Sequence, residues 1–362
     1  TAWAALQENN ALAKIDVVNA KVLAVYPLGF KDHGLDGNGM DVSDADGVDG
    51  TGSIKIQTWA NVRGLYMPDA IASFDVAGKT YIVTANEGDA RAWGEDTPEY
   101  FNNDTSKGFV EEWRVKHLVH ADGFARRLGD DLPAHLSQLA KGAELNPNNF
   151  GYCGATAGNA GDCRKDHLLG RLNITWTEGY QKNADGTPKL NERGNLVYDH
   201  LYSFGARSVS IWTENSAQNG LELVWDSGDD FEQYIAEHHP EIFNANHEEA
   251  GMDNRSDNKG PEPEGVTLGQ IGSKTFAFIG LERAGGVMVY DVSTPSAPSF
   301  VQYLNSREMS ASTEQIELGQ AGDLGPEGLV FIAAKDSPNG QPLLVVGNEV
   351  SGSTAVYQLN LK

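Results

Sequence analysis

Three short segments of this chain open alike: Pro68-Asp69-Ala70-Ile71, Pro263-Glu264-Gly265-Val266 and Pro326-Glu327-Gly328-Leu329. Each leads into an apolar run, a turn and a second apolar run that closes on a glutamate, namely Glu87, Glu282 and Glu349. Eighteen residues separate acid from closing glutamate in the first two segments and twenty-two in the third. If the acids start one strand and the glutamates end its antiparallel neighbour, all six carboxylates fall at one set of strand ends, with Glu8 and Glu262 as further members. Carboxylates packed that closely do not all stay ionised without a counter-charge. The donors are oxygens, so Ca²⁺ is the first cofactor expected, with Mg²⁺ or another divalent metal next. The competing reading is a set of solvated strand-end acids balanced by nearby basic residues.

Basic residues recur at the same ends. Arg91 lies four residues after Glu87, Arg283 follows Glu282, Arg207 precedes an apolar strand, and Arg255 and Lys259 lead into Glu262. Forked guanidinium donors beside a carboxylate-held metal outline a phosphate site, because the metal polarises the phosphoryl oxygen. Arg91, Arg207, Arg283 and Lys259 are therefore the expected catalytic groups of a calcium-dependent phosphomonoesterase acting on a phosphate ester or other small anion. The alternative is pairing of arginine with carboxylate that neutralises the rim and binds nothing. A second cation candidate is the loop Asp36–Asp49, where Asp41, Asp44 and Asp46 alternate with small residues. It has neither the glycine nor the closing glutamate of an EF-hand. Its competing reading is a solvated acidic turn.

The elements that must position these groups are strands. After two closing glutamates comes a small-residue turn and an alternating strand, Gly286–Val292 and Ser353–Leu359. The chain start repeats the later half of the unit, in Leu12–Val17 and Val22–Leu28. Gly205–Trp212 followed by Leu221–Trp225 reads as another third and fourth strand. A recurring four-stranded meander predicts an all-β chain built as a β-propeller, with a β-sandwich as the alternative. Residues 1–362 are then one domain, interrupted by insertions at about 96–166, with a helix expected over 132–145, and at about 231–258, with a helical start at Phe231. The first unit lacks an innermost strand, so either the termini share one blade or N-terminal blades are missing.

Composition narrows the partners. Against 51 Asp and Glu stand 27 Lys and Arg, a formal charge of −24, which repels nucleic acid and anionic membrane alike. Apolar residues at 40% suffice for a core, while no apolar run approaches the roughly 20 residues of a spanning helix. Cys153 and Cys163 bracket a polar loop and read as a short disulfide in an oxidising compartment, with two free thiols as the alternative. Together with the acidity, the pair points outside the cytoplasm, to an extracellular or periplasmic location. His117, His120, His238, His239 and His247 read as surface residues. No nucleophile elbow, Walker loop or dinucleotide fingerprint is present.

The runs Leu28–His33, Gly37–Gly47, Thr84–Arg91, Tyr202–Ser208, Arg255–Gly265 and Gly325–Leu329 resemble those of the choice-of-anchor I family. That family includes mesenchyme-specific cell-surface glycoproteins associated with biomineral formation and bacterial secreted proteins of alkaline-phosphatase-like type. The resemblance implies a propeller, secretion, Ca²⁺ and phosphomonoester hydrolysis. The non-catalytic alternative is a calcium-binding protein of the cell surface or matrix.

Overall fold

A computed structural model describes residues 1–94, 97–102, 104–119, 143–215, 217 and 219–360. The helix expected over 132–145 falls mostly outside them, and Glu144–Leu145 at its end is a strand. The chain is all-β in class, with strands dominating a few short helices.

Four sheets are antiparallel meanders. The first holds Ala2–Leu6, Ala11–Asp16 and Lys21–Pro27. The third holds Ile71–Val76, Lys79–Asn86, Ser208–Asn215 and Gly220–Asp226. The fourth runs through Pro263–Ile271, Lys274–Leu281, Val287–Asp291 and Ser299–Leu304, and the fifth through Pro326–Ile332, Leu343–Asn348 and Ser353–Gln358. Between Asn86 and Ser208 the chain leaves the third sheet and returns to pair Ser208 with Asn86. The two apparent repeat units at 68–87 and 205–225 are thus one sheet. The excursion contributes to a second, mixed sheet in the order Glu112–Arg114, Asn173–Thr175, Leu201–Ser203, Val62–Leu65, Phe30–Asp32. Its neighbours Leu201–Ser203 and Val62–Leu65 run parallel.

The meanders pack face to face, and strand periodicity decides which residue faces which neighbour. Along Lys274–Leu281, Ala277, Ile279 and Leu281 join Val83, Ala85, Val209 and Ile211 of the third sheet. The intervening Phe276 and Phe278 join Leu344 and Val346 of the fifth. In the third sheet Ile82 and Trp212 turn the other way and meet Leu12 of the first. Strands buried on both faces read as unbroken apolar runs, which is why these were visible in the sequence. A further core, with Trp59, Trp113, Phe150, Leu169 and Ile174, lies under the excursion. There Cys153 and Cys163 form a disulfide.

The first strands of three meanders lie together: Pro263–Ile271 packs against both Ile71–Val76 and Pro326–Ile332. Gly265 permits this approach, because a Cβ there would strike the Glu327 carbonyl. Among the described residues no helix is long and apolar enough to cross a membrane.

Candidate metal centre

Two of the three opening acids sit where the ladder breaks. Pairing in the fourth sheet jumps from Pro263 with Leu281 to Val266 with Ile279, and in the fifth from Pro326 with Asn348 to Gly328 with Gly347. Such a bulge frees a residue from the pleat and re-aims its side chain. Glu264 and Glu327 are the residues so freed. The closing glutamates follow the partner strands, with the Glu282 N–H donating to the Glu262 carbonyl at 2.8 Å and the Glu349 N–H to the Gly325 carbonyl at 2.8 Å. Glu87 is fixed where the chain crosses Gly205 so closely that a Cβ on Gly88 would strike the Gly205 backbone and one on Gly205 the Glu87 carbonyl.

Four of the other expected acids converge on Glu264. Burial raises its carboxyl first, then Glu282, Glu87, Asp69 and Glu327 in that order, up to about 9. Its Oε2 is buried without a hydrogen-bond partner. Glu87 and Asp69 are raised too, each chiefly by burial. Beside them lies a cationic shell around Glu262, which is wholly buried with a left-handed φ of 52°. Arg255 donates to its Oε1 from Nε at 3.0 Å and Nη2 at 2.6 Å, while Lys259 Nζ stands 3.1 Å and Arg283 Nε 3.3 Å from Oε2. Burial alone would raise Glu262, but Lys259, Arg255 and Arg283 outweigh it and hold the group ionised. Lys259 also donates to Glu87, which accepts from Gln7 Nε2 at 2.7 Å.

His247, expected at the surface, is only 3% exposed and belongs to this centre. Its Nε2 lies 2.6 Å from Arg283 Nη1, and its Nδ1 3.6 Å from Glu282 Oε1. Burial and then Arg283 lower it to about 4, so the ring is neutral, with Nε2 accepting and Nδ1–H facing Glu282. His117 is likewise buried rather than on the surface. No helical or ligand spacing announced His247. The one available sign was its place among acids, in His247-Glu248-Glu249.

Among the described residues, two sets of side chains bring ligand atoms within 4.8 Å of one another: Glu87, Glu262 and Glu282, and His247, Glu282 and Glu349. Counting Asp69, Glu264 and Glu327, seven carboxylates face three cations, Arg255, Lys259 and Arg283. That excess suits a hard divalent ion held by oxygens. A cavity of about 350 Å³ adjoins the cluster, lined among others by Arg255, Lys259, Arg283, Asn173 and Asn258.

Two of the four expected catalytic cations stand elsewhere. Arg91 forks onto Glu111, Nε to Oε2 at 2.8 Å and Nη2 to Oε1 at 2.9 Å, and lines a separate cavity with Glu8, Trp93 and Phe109. Arg207 is buried and donates to Glu232 Oε1 at 2.6 Å and to the carbonyls of Asp41 at 2.6 Å, Ser256 at 2.7 Å and Asn258 at 3.0 Å. Both are spent on structure. Arg91→Ala is therefore expected to leave Ca²⁺ affinity unchanged by calorimetry and to lower unfolding free energy by about 1–3 kcal/mol, because Glu111 is buried and loses its charged partner. The acid-rich loop is apart from the rim, and within it Asp44 is clasped by Arg171 at 2.5 and 2.6 Å.

Residues 1–295 match the model of the choice-of-anchor I domain. Gigasin-3a of Magallana gigas is 28% identical over 202 residues, 54% of this chain and 66% of its own length. A mesenchyme-specific cell surface glycoprotein of Strongylocentrotus purpuratus is 24% identical over 347 residues, 92% of this chain and 38% of its own length. The matches thus span less than two thirds of either curated relative.

Proposed function

The chain belongs to the choice-of-anchor I family, and from that premise we propose that it is an extracellular or cell-surface protein that binds a divalent cation, Ca²⁺ first, where its meander sheets converge. The observation that carries this is Glu264, a carboxyl with an unpartnered buried oxygen facing Asp69, Glu87, Glu282 and Glu327. Leaving those acids ionised without a cation would mean sustaining their mutual repulsion in a poorly solvated site. Glu264, Glu87, Glu282, Asp69 and Glu327 would hold the ion. Glu349 with Glu282 offers a neighbouring position. The acidic composition, the disulfide and the surface relative all support the location.

We read the four meanders as neighbouring blades of one propeller within a single domain over 1–362. Successive face-to-face packing and the grouped first strands support this. The excursion and the 231–258 segment are then insertions between strands.

A second reading, hydrolysis of a phosphomonoester, draws on one observation: Arg255, Lys259 and Arg283 line a polar cavity beside the carboxylates. These three would bind the anion, and a metal there would supply a Lewis acid. Arg255 takes the place that Arg91 and Arg207 were expected to fill.

Calorimetric titration of Ca²⁺ into chelator-stripped protein tests the main reading. Glu264→Gln should weaken binding at least about tenfold, or 1.4 kcal/mol. Wild-type affinity in that variant would remove the centre from the site. Hydrolysis of p-nitrophenyl phosphate that needs Ca²⁺ and is lost in Arg283→Ala would establish the second reading, and absence of turnover would leave a binding protein.

A further inference from the structure

We propose a second Ca²⁺ site, separate from the converging strand ends, between the acid-rich loop of residues 36–53 and the turn that carries Asp253. The loop alone would be no more than a run of solvated acids. What turns it into a site is a carboxylate from elsewhere in the chain. Asp253 is 0% exposed, its Oδ1 accepts from Ser256 Oγ, and its Oδ2 is buried with no hydrogen-bond partner. That free oxygen faces the loop, since a Cβ on Gly52 would stand 2.5 Å from it. The pose is imposed by the backbone. Asp253 has a left-handed φ of 72°, held by its N–H donating to the Phe243 carbonyl at 2.7 Å and by the Arg255 N–H donating to the Asn244 carbonyl at 2.8 Å. That backbone holds the carboxylate where it stands.

The loop side supplies matching acids. Asp41 is buried, and its oxygens accept only from backbone, Oδ1 from Ser43 N–H at 3.2 Å and Oδ2 from Lys55 N–H at 2.5 Å. Asp46 Oδ1 accepts from the Ser53 N–H at 3.1 Å and hydroxyl at 2.8 Å. Among the described residues, none of Asp41, Asp46 and Asp253 forms an ion pair. The cations nearby are engaged elsewhere: Arg207 by Glu232, Arg171 by Asp44, and the Lys55 ammonium by the His167 carbonyl at 3.3 Å. Burial and then Asp41 push Asp253 up, while burial and then Glu232 push Asp41 up, so the acids repel one another as well. Asn244 Oδ1 is a second buried oxygen without a partner, and its amide donates at 2.8 Å to the same Ser256 hydroxyl that holds Asp253. Carboxylate and amide oxygens with no nitrogen or sulfur donor specify a hard cation, and their irregular, partly backbone-braced arrangement favours Ca²⁺ over Mg²⁺. Asp44, expected as a ligand, is excluded by Arg171, and Asp253 takes its place.

Tb³⁺, which replaces Ca²⁺ and luminesces when a nearby indole is excited, gives a local readout. Trp59 Nε1 donates to the Met40 carbonyl at 2.9 Å, next to Asp41. Titration of wild-type protein with Tb³⁺ under tryptophan excitation should give saturable luminescence that Ca²⁺ displaces. Asp253→Asn should reduce the affinity at least about tenfold, while Glu264→Gln, which strikes the other centre, should leave it unchanged. Asp46→Asn, a partly exposed position, serves as the second variant should Asp253→Asn fail to fold, and the same loss is expected. Saturable luminescence of wild-type affinity in a folded Asp253→Asn or Asp46→Asn protein would overturn the proposal, as would no luminescence in the wild type. Loss in Glu264→Gln alone would assign the signal to the other centre and equally overturn it.

Discussion

Arg207→Ala is expected to lower the unfolding free energy by about 3–5 kcal/mol, the range for breaking a buried ion pair from one side. Arg207 is 3% exposed and Glu232 2% exposed, so truncation strands a carboxylate that water does not reach. Glu232 keeps the Asn244 amide at 2.9 Å and the Asp41 N–H at 3.0 Å, which are neutral donors and do not replace the guanidinium charge. Three carbonyls, of Asp41, Ser256 and Asn258, lose their donor in the same step. These belong to the loop of residue 41 and to the run 255–259 that carries the shell around Glu262, so the substitution loosens the join between them. The left-handed φ of 54° at Arg207 adds backbone strain that the side-chain bonds now offset. Arg207→Lys should recover less than half of the loss, because an ammonium cannot fork across four acceptors. Denaturant midpoints at constant m-value measure both changes. A loss below about 1 kcal/mol would show that the network re-forms around water and that Arg207 is not a brace.

In chelator, stability is expected to fall as the pH rises from about 5 to 9, and Ca²⁺ should abolish that fall. Glu264 is raised to about 9 by burial and by its carboxylate neighbours, and Glu282 is raised by burial and then by Glu262. In the unfolded chain both ionise near 4.5. Across the window the native state therefore holds more protons than the unfolded one, and stability declines with pH. Arg283 and Lys259 temper the rise at Glu282, since both stay charged throughout and lower that carboxyl. Ca²⁺ displaces those protons, so binding near neutral pH should release acid, visible as a buffer-dependent calorimetric enthalpy. At a hundred times its dissociation constant the ion adds about 2.7 kcal/mol, which for a chain of this size raises Tm by about 3–4 °C. Calorimetric scans at pH 5, 7 and 9 with and without CaCl₂ decide the matter. A Ca²⁺ effect that is absent, or equal at all three pH values, would count against the centre.

Much of this centre was legible in residues that repeat. Asp69, Glu264 and Glu327 follow proline at strand starts, and Glu87, Glu282 and Glu349 end apolar runs, so meander logic alone predicts a shared rim. Two strands buried on both faces, Lys79–Asn86 and Lys274–Leu281, carry their apolar runs openly. Pairing across long gaps was not legible. Periodicity says that Ser208–Asn215 is a strand and nothing about its partner, which lies 122 positions back at Asn86. The mixed sheet was invisible because four of its strands have 3 residues, too few to display a period. The fates of Arg91 and Arg207 were hidden for a related reason. Their partners, Glu111 and Glu232, sit in segments without repeat character, so a cation near the rim in sequence was mistaken for one near it in space.

The splice in the third sheet has a consequence for how the chain is made. A ribosome releases Lys79–Asn86 well before Ser208–Asn215, and at roughly 5–20 residues per second the gap lasts on the order of ten seconds. Throughout that interval the inner hairpin presents the unpaired edge of a strand whose last five residues are buried in the finished protein. Such an edge recruits foreign strands. Translation speed and chaperone supply across the excursion should therefore govern yield more strongly than the final stability does, and halves of the gene split inside the excursion should reassemble poorly.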